Sequence, residues 1–105
     1  MHIQIVNYNL KGMSEGEFIR VCDELAPAFA SVPGLVSKVW LADPSTNTYG
    51  TIYLWRDRQA MEAFARSELF QAMATNPHLA NLSARDFAVL EGPTRVTRGV
   101  VAATV

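Results

Sequence analysis

The stretch from Pro33 to Phe70 constrains this chain most, because it reads turn, strand, turn, strand, helix with hardly a residue between. Pro33-Gly34 is a turn pair. Leu35 to Ala42 alternates two side-chain sets, Leu35, Ser37, Val39, Leu41 against Val36, Lys38, Trp40, Ala42. Asp43-Pro44-Ser45-Thr46-Asn47 is turn chemistry. Tyr49 to Trp55 follows, rich in aromatic and β-branched residues, as a strand should be. Asp57 then offers a helix N-cap, and Ala60, Met61, Phe64 and Ala65 recur at helical spacing. A hairpin feeding a helix has one covered sheet face. The other face needs a cover, and a second subunit is the obvious candidate.

The flanking segments complete the pattern. His2 to Leu10 reads as the first strand. Ile3 and Ile5 point one way, and Val6, Tyr8 and Leu10 the other, which predicts a strand apolar on both faces or a bulge. Ser14-Glu15-Gly16-Glu17 is a capping box that opens a helix running towards Ser31, with Phe18, Cys22, Leu25, Phe29 and Val32 as its apolar stripe. Pro27 lies inside it and predicts a kink or break near Ala26. Ser67 interrupts the second helix, Leu69, Phe70 and Met73 continue it, and Asn76-Pro77 ends it. Ser83 to Glu91 reads as the fourth strand, with Ala84, Asp86, Ala88 and Leu90 on one face and Arg85, Phe87 and Val89 on the other; Gly92-Pro93 closes it.

The order β-α-β-β-α-β predicts an α+β, ferredoxin-like fold: a four-stranded antiparallel sheet with both helices on one face. Residues 1–93 form that domain. The tail 94–105 is apolar enough to add an edge strand or to serve as a dimer arm. The bare sheet face is apolar under either alternation, so two sheets paired face to face would form a homodimer, a dimeric α/β barrel. The competing arrangement is a monomer whose tail covers the sheet.

Composition narrows the function classes. A chain of 105 residues, half of them hydrophobic, fits one domain with a real core. A net charge of −1 with interspersed signs argues against nucleic acid as a partner. No apolar run approaches the roughly 20 residues a membrane span needs. A single cysteine, Cys22, and a strand-like start at Met1 without a signal peptide point to the cytoplasm.

No glycine-rich phosphate loop and no metal-ligand cluster is present, so neither cofactor nor metal is expected; His2 and His78 are the only histidines. Lys38, Trp40, Tyr53 and Arg85 are the leading pocket candidates. Lys38 and Trp40 share a strand face, and a hairpin pairing position 38 with 53 brings Tyr53 to them. The chemical reading assigns catalysis to Lys38, Tyr53 and Arg85. A cation there stabilises a phenolate or enolate, and the carbanion passes an electron to dioxygen. The structural reading makes Trp40 and Tyr53 core or interface aromatics with Lys38 reaching to solvent. Asn7, Tyr49, Trp55, Phe64 and His78 complete the candidate substrate-binding set.

Pro33-Gly34-Leu35-Val36-Ser37-Lys38-Val39-Trp40 followed by Gly50-Thr51-Ile52-Tyr53-Leu54-Trp55 resembles the YdhR-type monooxygenases of the dimeric α+β barrel superfamily. Trp55 through Phe64, with Ser67-Glu68-Leu69-Phe70, resembles the antibiotic-biosynthesis monooxygenases, with Glu68 where those usually carry a histidine. The resemblance implies a homodimer, a pocket between sheet and helices, and cofactor-free oxygenation of a small hydrophobic aromatic or quinol-type compound. The same superfamily includes haem-degrading enzymes. Their asparagine, tryptophan and histidine positions would fall on Asn7, Phe64 and Ala74 here, so only the first is matched. A non-catalytic dimeric module binding a small apolar ligand, or a stress-related protein of the same fold, is the alternative from another class.

Overall fold

The computed structural model describes residues 1–100. Nine residues, His2–Leu10, form strand β1, and the helix α1 spans Glu15–Ala30. Strands β2 (Leu35–Asp43) and β3 (Thr48–Trp55) make the hairpin, joined by a 3-10 turn over Pro44–Thr46 with Asn47 left-handed behind it. Helices α2 (Arg58–Ala65) and α3 (Glu68–Ala74) follow, then β4 (Leu79–Ala88) and a short helix α4 (Glu91–Val96). The four strands pair antiparallel in the order β2-β3-β1-β4, the ferredoxin-like arrangement.

Local sequence explains most element ends. The Ser14 hydroxyl accepts from the Glu17 amide, and the Glu17 carboxylate accepts from the Ser14 amide, closing the capping box. Asp57 caps α2 by accepting from the Ala60 amide, and Ser67 caps α3 by accepting from the Phe70 amide. Ser67 thus separates two helices, as its position suggests. Pro27 does not break α1, which is continuous to Ala30. Proline and Asp23, whose carbonyl loses its partner, are both exposed near the helix end, so water can serve that carbonyl.

Side-chain direction follows the pairing. His2, Gln4, Val6, Tyr8 and Leu10 are buried, and the residues between them are half-buried. Val6, Tyr8, Tyr49, Tyr53 and Trp55 join Phe18, Phe29, Met61 and Phe64 in one core, so this is the helix-covered face. Ile3, Ile5, Asn7, Val39 and Ile52 lie on the open face. Strand β1 is apolar on both faces, and the bulge falls instead in β4, where Asn81 is left-handed and the register to β1 shifts between Asn7 and Asn9. A second irregularity at Val36 turns Leu35 onto the face of Trp55, so Leu35 leaves the set of Ser37 and Val39.

Two boundaries differ from the sequence expectation. Strand β4 spans Leu79–Ala88 rather than Ser83 to Glu91: the Asn81 bulge hides the alternation at its start, and Glu91 belongs to α4. Residues 94–100 add no edge strand. Pro93 sits in the first turn of α4, where a missing N–H costs nothing, so Gly92-Pro93 belongs to a helix instead of closing the fourth strand. Glu91 pairs with the Met1 ammonium at 2.6 Å, tying α4 to the start of β1. The rest of the tail, 101–105, lies outside the described residues. Among the described residues, no helix is long and apolar enough to cross a membrane.

Candidate functional site

The hairpin register aligns Lys38 with Tyr53, and Tyr53 with Gln4 of β1. Lys38, Trp40 and Tyr53 therefore share the helix-covered face, as the pairing of 38 with 53 requires. The Phe29 side chain comes down on them from α1. The Lys38 Nζ stands 3.0 Å from the Phe29 ring centroid, 3.7 Å from Trp40 and 4.8 Å from Tyr53. Phe29 meets Trp40 edge to face at 5.4 Å. The result is an aromatic box around one amine. Among the described residues no carboxylate pairs with it.

A cavity of about 140 Å³ opens beside the box, between α1, α3 and the sheet. Lys38, Phe29, Trp40, Tyr8, Cys22 and Met73 are among its walls. A cavity of about 150 Å³ in another apolar protein core holds benzene, so this space suits a single aromatic ring. Burial pushes the Lys38 ammonium down to about 7. Among the described residues, the ring faces, negative at their centres, are the charge's close electrostatic support, with the Cys22 sulfur. Burial likewise pushes the Cys22 thiol up and the Tyr8 phenol well above its ordinary value. An amine able to be neutral near pH 7 is a proton acceptor and a nucleophile.

The other candidates separate into groups. Tyr53 is fully buried, with its hydroxyl unpartnered among the described residues and pushed up to about 12 by burial. Its ring backs Lys38 and stacks on Trp55 at 5.5 Å. Trp55 and Phe64 are core residues behind the box: the Trp55 indole donates to Gln4 Oε1 at 3.2 Å, and Phe64 packs on both Tyr53 and Trp55. Tyr49 is on the same face but lies under Phe18, with its hydroxyl donating to Glu15 at 2.8 Å. Three candidates lie elsewhere. Arg85 aligns with Ile5 and Asn7 with Gly50, both on the open face, so neither reaches Lys38 within one subunit. The alternation that separates Arg85 from Asp86 decides this once the register is known. His78 sits in the loop before β4, with its Nδ1 against the Lys11 carbonyl at 2.8 Å.

Sequence reading missed Phe29, Tyr8 and Cys22 as walls of the same cavity as Lys38. The signal was partly there: Phe29 lies on the α1 stripe and Tyr8 shares a face with Val6. What no local pattern states is that these two faces meet over position 38.

The fold is that of a small ferredoxin-like α+β domain, shared with antibiotic biosynthesis monooxygenases of known structure. A family model described as "Putative mono-oxygenase ydhR" matches residues 3–100, and the chain belongs to that family. Among solved structures, SnoaB of Streptomyces nogalater, a cofactor-independent oxygenase, is 26% identical with a TM-score of 0.68, over 86% of this chain and 94% of that one. The haem degrader MhuD of Mycobacterium tuberculosis, solved with two haems in its active site, is 20% identical with a TM-score of 0.69, over 86% and 96%. An antibiotic biosynthesis monooxygenase is 17% identical with the same TM-score, over 86% and 99%. No curated protein sequence matches the chain.

The residues present do not fit haem. No histidine lines the cavity: His2 is engaged by Asp86 and His78 by the Lys11 carbonyl. Cys22 does line it, but a thiol pushed up by burial is a poor source of the thiolate that ligates iron. Asn7 is on the other side of the sheet.

Proposed function

We propose that this protein is a cofactor-independent monooxygenase acting on a small hydrophobic aromatic or quinol-type compound bound between sheet and helices. The observation that carries the reading is the Lys38 amine, without a carboxylate partner among the described residues and flanked by Phe29, Trp40 and Tyr53, at the wall of a one-ring cavity. Membership of a mono-oxygenase family and likeness to a cofactor-independent oxygenase support it.

In this reading Lys38 removes an acidic proton from a phenol or from a methylene between aromatic rings. The substrate anion gives one electron to dioxygen, and the radical pair combines to a peroxide. Loss of water from that peroxide leaves a carbonyl, so one oxygen atom enters the product, the other leaves as water, and the methylene supplies the electrons. Trp40 and Phe29 hold the ring by stacking. Tyr53 backs Lys38 with its ring, outside the cavity wall, and keeps its own proton. The open sheet face, with Ile3, Ile5, Val39, Ile52 and Arg85, joins two copies as a homodimer, and the protein works in the cytoplasm.

Oxygen consumption by the purified protein, without added metal or flavin, against dihydroxyaromatics and anthrones tests this. Protein-dependent uptake that rises with pH through about 7 and is lost in Lys38→Met is expected. No uptake, with saturable quenching of tryptophan fluorescence by the same compounds, would replace the oxygenase by a ligand-binding module.

A further inference from the structure

We infer that Lys38 is also a nucleophile that condenses with small aromatic aldehydes, so that the cavity beside it is a covalent binding site for an aryl carbonyl compound. The inference shares the cavity with the function proposed above but needs no oxygen chemistry.

Three observations converge. First, the amine of half-buried Lys38 is flanked by three rings, with no carboxylate partner among the described residues to hold it as an ammonium. Desolvated lysines of this kind are the ones that attack carbonyls. Second, the cavity beside it encloses about 140 Å³ and is lined by Phe29, Trp40 and Met73, room for one aryl ring with the amine in its wall. Third, the condensation needs a proton to release water. Tyr8 carries the only hydroxyl among the described lining residues, and burial holds its phenol protonated.

The step balances without any co-reactant. The Nζ lone pair forms a C–N bond to the carbonyl carbon, giving a carbinolamine. The amine then gives up both its protons, the carbonyl oxygen departs as water, and a C=N bond remains. Nothing is oxidised or reduced.

The chain has only two lysines, Lys11 and Lys38, so it carries its own control. Lys11 is exposed. At pH 7 an ordinary lysine is neutral in about one molecule in 2,500. Lys38 is far more often neutral, although its lower basicity also makes each neutral amine less nucleophilic.

The test incubates the intact protein anaerobically at pH 7 with benzaldehyde and cyanoborohydride, which traps the imine as a stable amine, and maps the adduct by peptide mass spectrometry. A parallel sample receives pyrene-1-carboxaldehyde, whose four rings exceed the cavity. The expected result is labelling of Lys38 at least about tenfold faster than Lys11 with benzaldehyde, and no such preference with the pyrene aldehyde. A benzaldehyde preference below tenfold, or an equal preference with both aldehydes, overturns the inference. Because oxygen is absent, either result is independent of whether the protein consumes it.

Discussion

Lys38 Nζ stands 3.0 Å from the centre of the Phe29 ring, and the two residues come from different elements, β2 and α1. The site exists only where the helix docks on the edge strand. Phe29 also touches Trp40, Tyr53 and Phe64, so it is both the lid of the amine and a keystone of the core. Replacing it changes chemistry and stability together. Phe29→Leu should cost about 1–2 kcal/mol in urea unfolding, less than the roughly 3–5 of a Phe→Ala truncation. It should also weaken binding of one-ring aromatics, read by Trp40 fluorescence, since the facing ring is lost. Unchanged stability and unchanged binding would mean that α1 does not close the site.

The pH dependence of stability follows from Lys38. Below about pH 7 both the folded and the unfolded chain hold this proton, and the buried charge is a constant penalty. From about 7 to about 10 the unfolded chain holds it more than the folded one does, so stability rises with pH across that window. Above it, the buried phenols act in the opposite sense: Tyr53, pushed up to about 12, keeps its proton in the fold while the unfolded chain ionises near 10, so stability falls. Lys38→Met should remove the rise between 7 and 10 and leave the later fall. Denaturant midpoints at several pH values measure both.

A buried hydrogen bond gives a third outcome. Gln4 Oε1 accepts from the Trp55 indole at 3.2 Å, and both residues are buried. Gln4→Met leaves the N–H buried without an acceptor and should cost about 1–3 kcal/mol. Gln4→Met combined with Trp55→Phe should show positive coupling, because the second change removes the orphaned donor. Purely additive losses in this double-mutant cycle would deny the bond any role.

The fold was legible because its elements are locally consistent: turn pairs, caps and alternation at residues 33–70 all point one way. The site was only half legible. Lys38, Trp40 and Tyr53 could be grouped from the sequence because strand alternation and one hairpin register place them on one face. Arg85 was misassigned to the same pocket because nothing local to β4 says which of its faces meets the helices; only pairing with β1 does. Phe29 and Cys22 were read as core stripe, which they are, and their second role arises from packing over an edge strand. The tail 94–105 admits an edge strand or a dimer arm in sequence; its start, through Val96, is helical because Pro93 suits the first turn of α4, and 101–105 lie outside the described residues.

The open sheet face yields a fourth prediction. Val39 and Phe87 are 53% and 43% exposed there, beside Ile3, Ile5 and Ile52, a surface that a second copy would cover. Val39→Glu should turn a dimer into a monomer in sedimentation while leaving the far-ultraviolet circular dichroism unchanged. A persistent dimer would place the interface elsewhere.

The claim beneath the proposed oxygenation and the aldehyde chemistry is that Lys38 sheds its proton near neutral pH. With two lysines in the chain, a titration of ¹³Cε-labelled lysine by NMR resolves it directly. One resonance should move with a midpoint near 7 and be absent in Lys38→Met, which assigns it to Lys38. No midpoint near 7 would contradict this and leave Lys38 as a charge held in an aromatic box.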